Sequence, residues 1–226
     1  MGFNRGPKIV TDGLIVYLDA ANPKSYQTTS TTWTDLSGKG NDGTLINGPI
    51  FDSADNGSIV FDGVDDYTTI PSNTLLNIDL GVTVSIWFKR NSGGISNSRL
   101  IDVGANNNTS KGFNFQGSPI TMGFVIGSGT ERRAINIPIL ANNWEYMTGI
   151  YKKSEVFKIY RNGILTNTQT PFDTDCNVET QINIGARSGG SLGFPGNVSN
   201  LTWHNRILTQ EEIIQNYNSI KTRFKI

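Results

Sequence analysis

The chain has 226 residues, and 19 Lys plus Arg balance 19 Asp plus Glu, so its formal net charge is zero. A protein that neutralises phosphates usually carries a basic excess, so nucleic-acid binding is not expected. The lone cysteine, Cys176, excludes an intramolecular disulfide and a multi-cysteine zinc site. No apolar run reaches the roughly 18 residues of a membrane span, so membrane insertion is not expected either.

The stretch "MGFNRGPKIV" has no apolar h-region, so no ordinary secretory signal is expected. Residues 1–12 read as an extended arm interrupted by Pro7, ahead of a single domain over 13–226. "LIVYL" (Leu14–Leu18) is a buried-strand run, followed by the turn-rich loop "TDLSGKGNDGTL". "SIVF" and "YTTI" then flank a tight acidic stretch, "DGVDD". In "VTVSIWFKR", Val82, Val84, Ile86 and Phe88 point one way and Thr83, Ser85, Trp87 and Lys89 the other.

"WEYMTGIYK" and "EVFKIYR" read as strands joined by a tight connection, and Asn162-Gly163 predicts a hairpin whose two central residues take positive φ. "TQINIGAR" and "NVSNLTWHN" close the β region. At the C-terminus, Thr209 and Glu212 make a capping box that opens a helix over about 209–221, with Ile213, Ile214, Tyr217 and Ile220 on one face. Short strands punctuated by Asp-Gly and Asn-Gly pairs predict an all-β sandwich, and a 226-residue chain can bury its two-layer core.

Four blocks carry a more specific resemblance: "GLIVYLDAANPKSY", "TTWTDLSGKGNDGTL", "GSIVFDGVDDYTTIP" and "GNVSNLTWHNRILTQEEI". In this order they resemble laminin-G-like, concanavalin A-like domains, and in particular the single-domain versions carried by tailed bacteriophages, notably those of marine cyanobacteria. The resemblance implies a two-sheet antiparallel jelly roll with a short C-terminal helix. It also implies that the concave sheet or rim loops bind glycans or partners, and that a structural calcium ion is common. It further implies that Trp203 fills the core and that Arg206 pairs with a charge near the helix start.

The glycanases of this fold resemble one another in a strand of alternating Glu and Asp, because retaining hydrolysis needs two carboxyl groups about 5–5.5 Å apart. None of Glu131, Glu145, Glu155, Glu179, Glu211 and Glu212 lies in such an array, so a glycan-active enzyme is not expected. Asp62, Asp65 and Asp66, with Asp35 from another loop, offer hard oxygens of the kind calcium takes six to eight of; the alternative is a turn in which Asp62 bonds its own backbone. His204 has no nucleophile signature near it and is expected to face the surface or a partner. Arg132 and Arg133 offer a small anion-contacting spot or a solvated loop.

Trp87, Trp33, Tyr67 and Trp144 are the candidate platforms for a glycan or partner. Trp87 is either an outward contact residue or packed under a loop. The expectation is a non-enzymatic virion structural protein of a phage: a decoration, fibre or tail-associated module, made in the host cytoplasm. It would contact other virion proteins or its own copies as a homo-oligomer, with the N-terminal arm as its docking segment. The alternative is an adhesin for host or environmental polysaccharide.

Overall fold

The computed structural model describes residues 8–71, 77–104, 110–177 and 181–225. Its strands are β1 (Leu14–Asp19), β2 (Thr32–Trp33), β3 (Gly43–Ile46), β4 (Ile50–Asp52), β5 (Ser58–Asp62), β6 (Tyr67–Ile70), β7 (Val82–Arg90) and β8 (Ser98–Gly104). They continue as β9 (Lys111–Ser118), β10 (Thr121–Ser128), β11 (Arg132–Pro138), β12 (Trp144–Lys152), β13 (Val156–Arg161), β14 (Ile164–Thr168), β15 (Ile182–Ile184) and β16 (Pro195–His204). One α-helix, α1 (Gln210–Ile220), follows.

The strands form two antiparallel sheets, a jelly-roll sandwich. The first runs β14-β13-β12-β7-β16-β5-β4, with β1 on the far end of β16; the second runs β11-β10-β9-β8-β15-β6-β3-β2. The alternation of β7 holds: Val82, Val84, Ile86 and Phe88 enter the inter-sheet core, while Trp87 points to the opposite face. The core is rich in aromatic rings. Phe124 meets Phe115 at 5.0 Å and Phe157 at 5.4 Å, and Phe113 meets Trp203 at 5.0 Å, so Trp203 is the expected core filler. Gly149 of β12 makes room for this: a Cβ there would lie 2.7 Å from the Phe124 ring and 2.8 Å from the Phe115 ring. The Asn162-Gly163 hairpin forms as predicted, with φ of 52° and 80°.

A second apolar cluster lies outside the sandwich. Trp87, Trp144 and Tyr146 on the outward face of the first sheet pack against Ile213 and Ile220 of α1 and against Phe224 in the turn beyond it. The capping box is present: Thr209 N–H donates to Glu212 Oε2 at 2.9 Å, and Glu212 N–H donates to the Thr209 hydroxyl at 3.3 Å. Arg206 grips Glu212 with two bonds of 2.6 and 2.9 Å, the pairing expected near the helix start. Ile214 departs from the predicted apolar face and is exposed.

The N-terminal arm is tied down where it is described. Val10 is buried, its N–H donates to Asn216 Oδ1 at 2.7 Å, and the Lys8 carbonyl accepts from Gln215 at 2.7 Å. Residues 1–7 of the expected docking arm lie outside the described residues. The free edge of β1 is sealed by the loop after β2. Tyr17 N–H donates to Asp35 at 2.8 Å, Leu36 N–H donates to the Tyr17 carbonyl at 2.8 Å, and Asn41 Nδ2 donates to the Ile15 carbonyl at 2.6 Å. Covering an edge in this way removes a template for pairing with another chain.

Candidate functional site

Helix α1 packs on the outward face of the first sheet, and the outward face of the second carries a cluster of polar side chains. Its residues follow from strand alternation. Phe113 and Phe115, Ile101 and Val103, Ile135 and Ile137, and Ile182 and Ile184 point into the core. Their neighbours therefore point out, and the antiparallel register lines them up. One row runs Asn136, Gly123, Gln116, Arg99. The next runs Ala134, Val125, Asn114, Asp102, Asn183, Thr69, Thr44. A third runs Arg132, Gly127, Gly112, Gly104.

The floor of this face is polar and buried. Arg99, Asp102, Asn114 and Asn183 are almost fully covered, whereas Gln116 and Arg132 are half-buried and Ala134 and Asn136 exposed. Arg99 Nε lies 3.2 Å from Asp102 Oδ1. Gln116 Oε1 accepts from Arg99 Nη1 in a very short contact and from Arg132 Nη2 at 3.1 Å. The Asn136 side chain lies over Gly123, where a Cβ would stand 2.2 Å from its Oδ1. Burial pushes the Asp102 carboxyl up to about 6, against the pull of Arg99 and Arg187. Burial also lowers the Arg99 guanidinium to about 10, so it stays charged at neutral pH.

At the rim, Asp62, Asp65 and Asp66 bring carboxylate oxygens within 4.8 Å of one another. Their donors explain the arrangement locally. Asp62 Oδ1 accepts from Val64 N–H at 2.7 Å and Asp65 N–H at 3.4 Å, while Asp66 Oδ2 accepts from Asp62 N–H at 3.1 Å. Gly63, with φ of 82°, turns the chain between them. Asp66 is buried and its carboxyl is raised, by burial first and then by the charges of Asp62 and Asp65. Asp35 does not join this group. It accepts from Tyr17 N–H, Ser37 N–H, the Ser37 hydroxyl and Asn41 N–H at 2.6–3.0 Å, so its oxygens are spent on the loop that seals β1.

Trp33 and Trp87 are both fully buried and offer no ring to a ligand. Trp33 sits in the inter-sheet core. Trp87 does face away from that core, but α1 covers it rather than a loop. Tyr67 is half-buried and shares the outward face of the second sheet, since Thr68 and Ile70 beside it are the buried residues. His204 corrects the surface expectation: it is buried, its Nε2 lies 2.9 Å from the Val10 carbonyl, and burial lowers its pKa. Cys176 is buried, and burial pushes its thiol up to about 11. Arg132 and Arg133 lie in β11 rather than a loop; Arg133 is held by the carbonyls of Thr170 and Pro171 and by the Phe172 ring.

The cluster around Arg99 and Asp102 was not singled out from the sequence. Its signal is two opposite charges three residues apart inside an otherwise apolar strand, "SRLIDVG". Burial of both is secured by a register shift in the pairing of β8 and β9 between Arg99 and Ile101, which keeps the two charges on one face.

A sequence model of the concanavalin A-like lectin/glucanases superfamily matches residues 62–214. The chain belongs to this superfamily. Among curated proteins none matches. Solved structures similar to this superfamily member include the botulinum neurotoxin serotype D binding domain, with a TM-score of 0.74 at 14% identity over 92% of this chain. The binding domain of botulinum neurotoxin DC in complex with SialylT gives 0.74 at 17% identity over 93%, and the same type of domain in complex with rat synaptotagmin II gives 0.71 at 15% over 93%. The chain spans about half the length of these domains, 52% in each of the three. At such identities the likeness is one of fold. No described helix is long and apolar enough to cross a membrane.

Proposed function

We propose that the chain is a non-catalytic glycan-recognition module, and that the outward face of the second sheet is its binding surface. The observation that carries this reading is the set of accessible polar side chains on that face, Gln116, Arg132, Asn136 and Tyr67, beside the buried Arg99, Asp102, Asn114 and Asn183. Sugar hydroxyls need convergent donors and acceptors held in place by a rigid scaffold, and a face built on five neighbouring strands provides them. Asp102 is the only carboxylate on β8, β9, β10, β11 and β15, and it is paired with Arg99. That supports recognition over hydrolysis, which calls for a second carboxyl group across the sugar. A glycan array probed with the wild type and with Ala134→Trp tests the reading. Ala134 is exposed on this face, so the indole should block binding and leave the melting temperature unchanged; equal binding by the variant would reject the face.

The finer reading places this module on a phage particle, among other virion proteins or its own copies, where the same face would meet host polysaccharide. Its support is the four sequence blocks. Mass spectrometry of purified particles tests it, and absence of the chain from them would end it. The rim loop we read as a turn held by three backbone amides. Calcium bound by Asp62, Asp65 and Asp66 is the alternative that their mutual proximity supports.

A further inference from the structure

The chain's one histidine holds its N-terminal segment. His204 is fully buried, and its Nε2 lies 2.9 Å from the Val10 carbonyl, so this nitrogen carries the hydrogen and donates it. The other ring nitrogen, Nδ1, is buried and has no hydrogen-bond partner among the described residues. A second proton there would be a buried donor on a buried charge, with no acceptor. The charged groups around the ring are Asp12 of the segment, Arg206 beyond β16 and Glu212 of α1. Both carboxylates are bonded to Arg206, at 2.8 and 2.6 Å. The strand neighbours of His204, Leu14 of β1 and Thr83 of β7, are uncharged.

The cover over this ring is lightly held. Residues 8–11 belong to no strand. Three bonds from side chains to their main chain fasten them: His204 to the Val10 carbonyl, Val10 N–H to Asn216 Oδ1 at 2.7 Å, and Gln215 to the Lys8 carbonyl at 2.7 Å. A groove of about 360 Å³ runs beside them, lined by Lys8, Ile9 and Thr11 and by Tyr17, Ile220 and Arg223, so one flank of the segment is unpacked. At Asp12 the chain is pinned again, where Arg206 Nε donates to the Asp12 carbonyl at 3.1 Å, and it turns at Gly13 with φ of 73°. We propose that residues 8–11 are an acid-released strap, stowed on His204 at neutral pH and freed when the imidazole is protonated. With the strap lifted, water reaches the ring and solvates the charge. The closed form binds the proton less well than the open form. Closure is therefore complete above the open-form pKa of about 6.5, and it weakens about tenfold for each unit of pH below that.

The test is amide hydrogen exchange by NMR on the full chain, between about pH 7.5 and 4.5, corrected for the intrinsic pH dependence of exchange. The Val10 amide reports the strap. The Ile213 amide, which donates to the Thr209 carbonyl at 3.0 Å, reports the helix beside it. The expected result is a fall in Val10 protection of about tenfold per unit below pH 6.5, with Ile213 unchanged. His204→Gln, whose amide can donate to the same carbonyl without titrating, should keep Val10 protected throughout. A Val10 amide as protected at pH 4.5 as at pH 7.5 would overturn the proposal. An equal fall in both proteins would overturn it too, by assigning the release to another group. Should the variant fail to fold, the wild-type imidazole resonances decide. Protonation that tracks the loss of Val10 protection supports the strap, and protonation with Val10 still protected overturns it.

Discussion

The indole of Trp87 stacks on the ring of Tyr217, with centroids 5.5 Å apart and planes inclined by 13°. Phe224 closes the same site, 4.4 Å from both Trp87 and Trp144. These rings seat the C-terminal segment on the first sheet. Phe224→Ala removes a buried ring from this cluster and should lower the unfolding free energy by about 3–5 kcal/mol, read from urea denaturation. Tryptophan emission should shift to the red at the same time. A loss below about 1 kcal/mol would mean that the segment is not packed as described.

The capping box gives a pH signature of its own. The Arg206 guanidinium and the Thr209 N–H hold the Glu212 carboxyl down at about 2. Its folded pKa lies below its unfolded one, so the stability it supplies is present above about pH 4.5 and is lost as the pH falls towards 2. Glu212→Gln should cost about 1 kcal/mol at pH 7 and make the acid limb of the stability curve shallower. An unchanged acid limb would contradict the assignment.

Asp102 should act with the opposite sign. Its folded pKa of about 6 lies above its unfolded one, so the folded protein retains a proton between about pH 4 and 6. Its contribution is most favourable at the low end of that window and declines as the pH rises through 6. Asp102→Asn should flatten the stability profile between pH 4 and 6, measured as urea midpoints at unit steps of pH. A profile with the wild-type slope would show that another group titrates there.

Much of this fold is written locally. The alternation around Trp87, the positive-φ pair Asn162-Gly163 and the Thr209 to Glu212 box depend on neighbours in sequence, and each forms as read. What periodicity cannot carry is the identity of the cover. Trp87 does point away from the core, yet its exposure was decided by Tyr217 and Phe224, well over a hundred residues later. His204 was misread for the same reason, because the residue that buries it, Val10, comes from the other end of the chain. Asp35 shows a third limit: an acidic side chain in a Gly-rich loop looks the same whether it holds an ion or, as here, the free edge of β1. The polar face was hidden because Arg99, Asp102, Gln116 and Arg132 meet only through strand pairing across β8 to β11.

Calcium should leave the melting temperature unchanged, since the amides of Asp62, Val64 and Asp65 already hold the rim loop. Thermal denaturation in calcium and in a chelator checks this. A rise of several degrees in calcium that Asp65→Asn abolishes would make the loop a metal site instead.

The central claim is the location of binding, and hydrogen exchange of the full chain, alone and saturated with its tightest array glycan, tests it most directly. The account predicts added protection in β9, β10 and β11, at 111–118, 121–128 and 132–138, with the α1 segment at 210–220 unchanged. Protection confined to the rim loop at 62–66 or to α1, or none from any glycan, would contradict it.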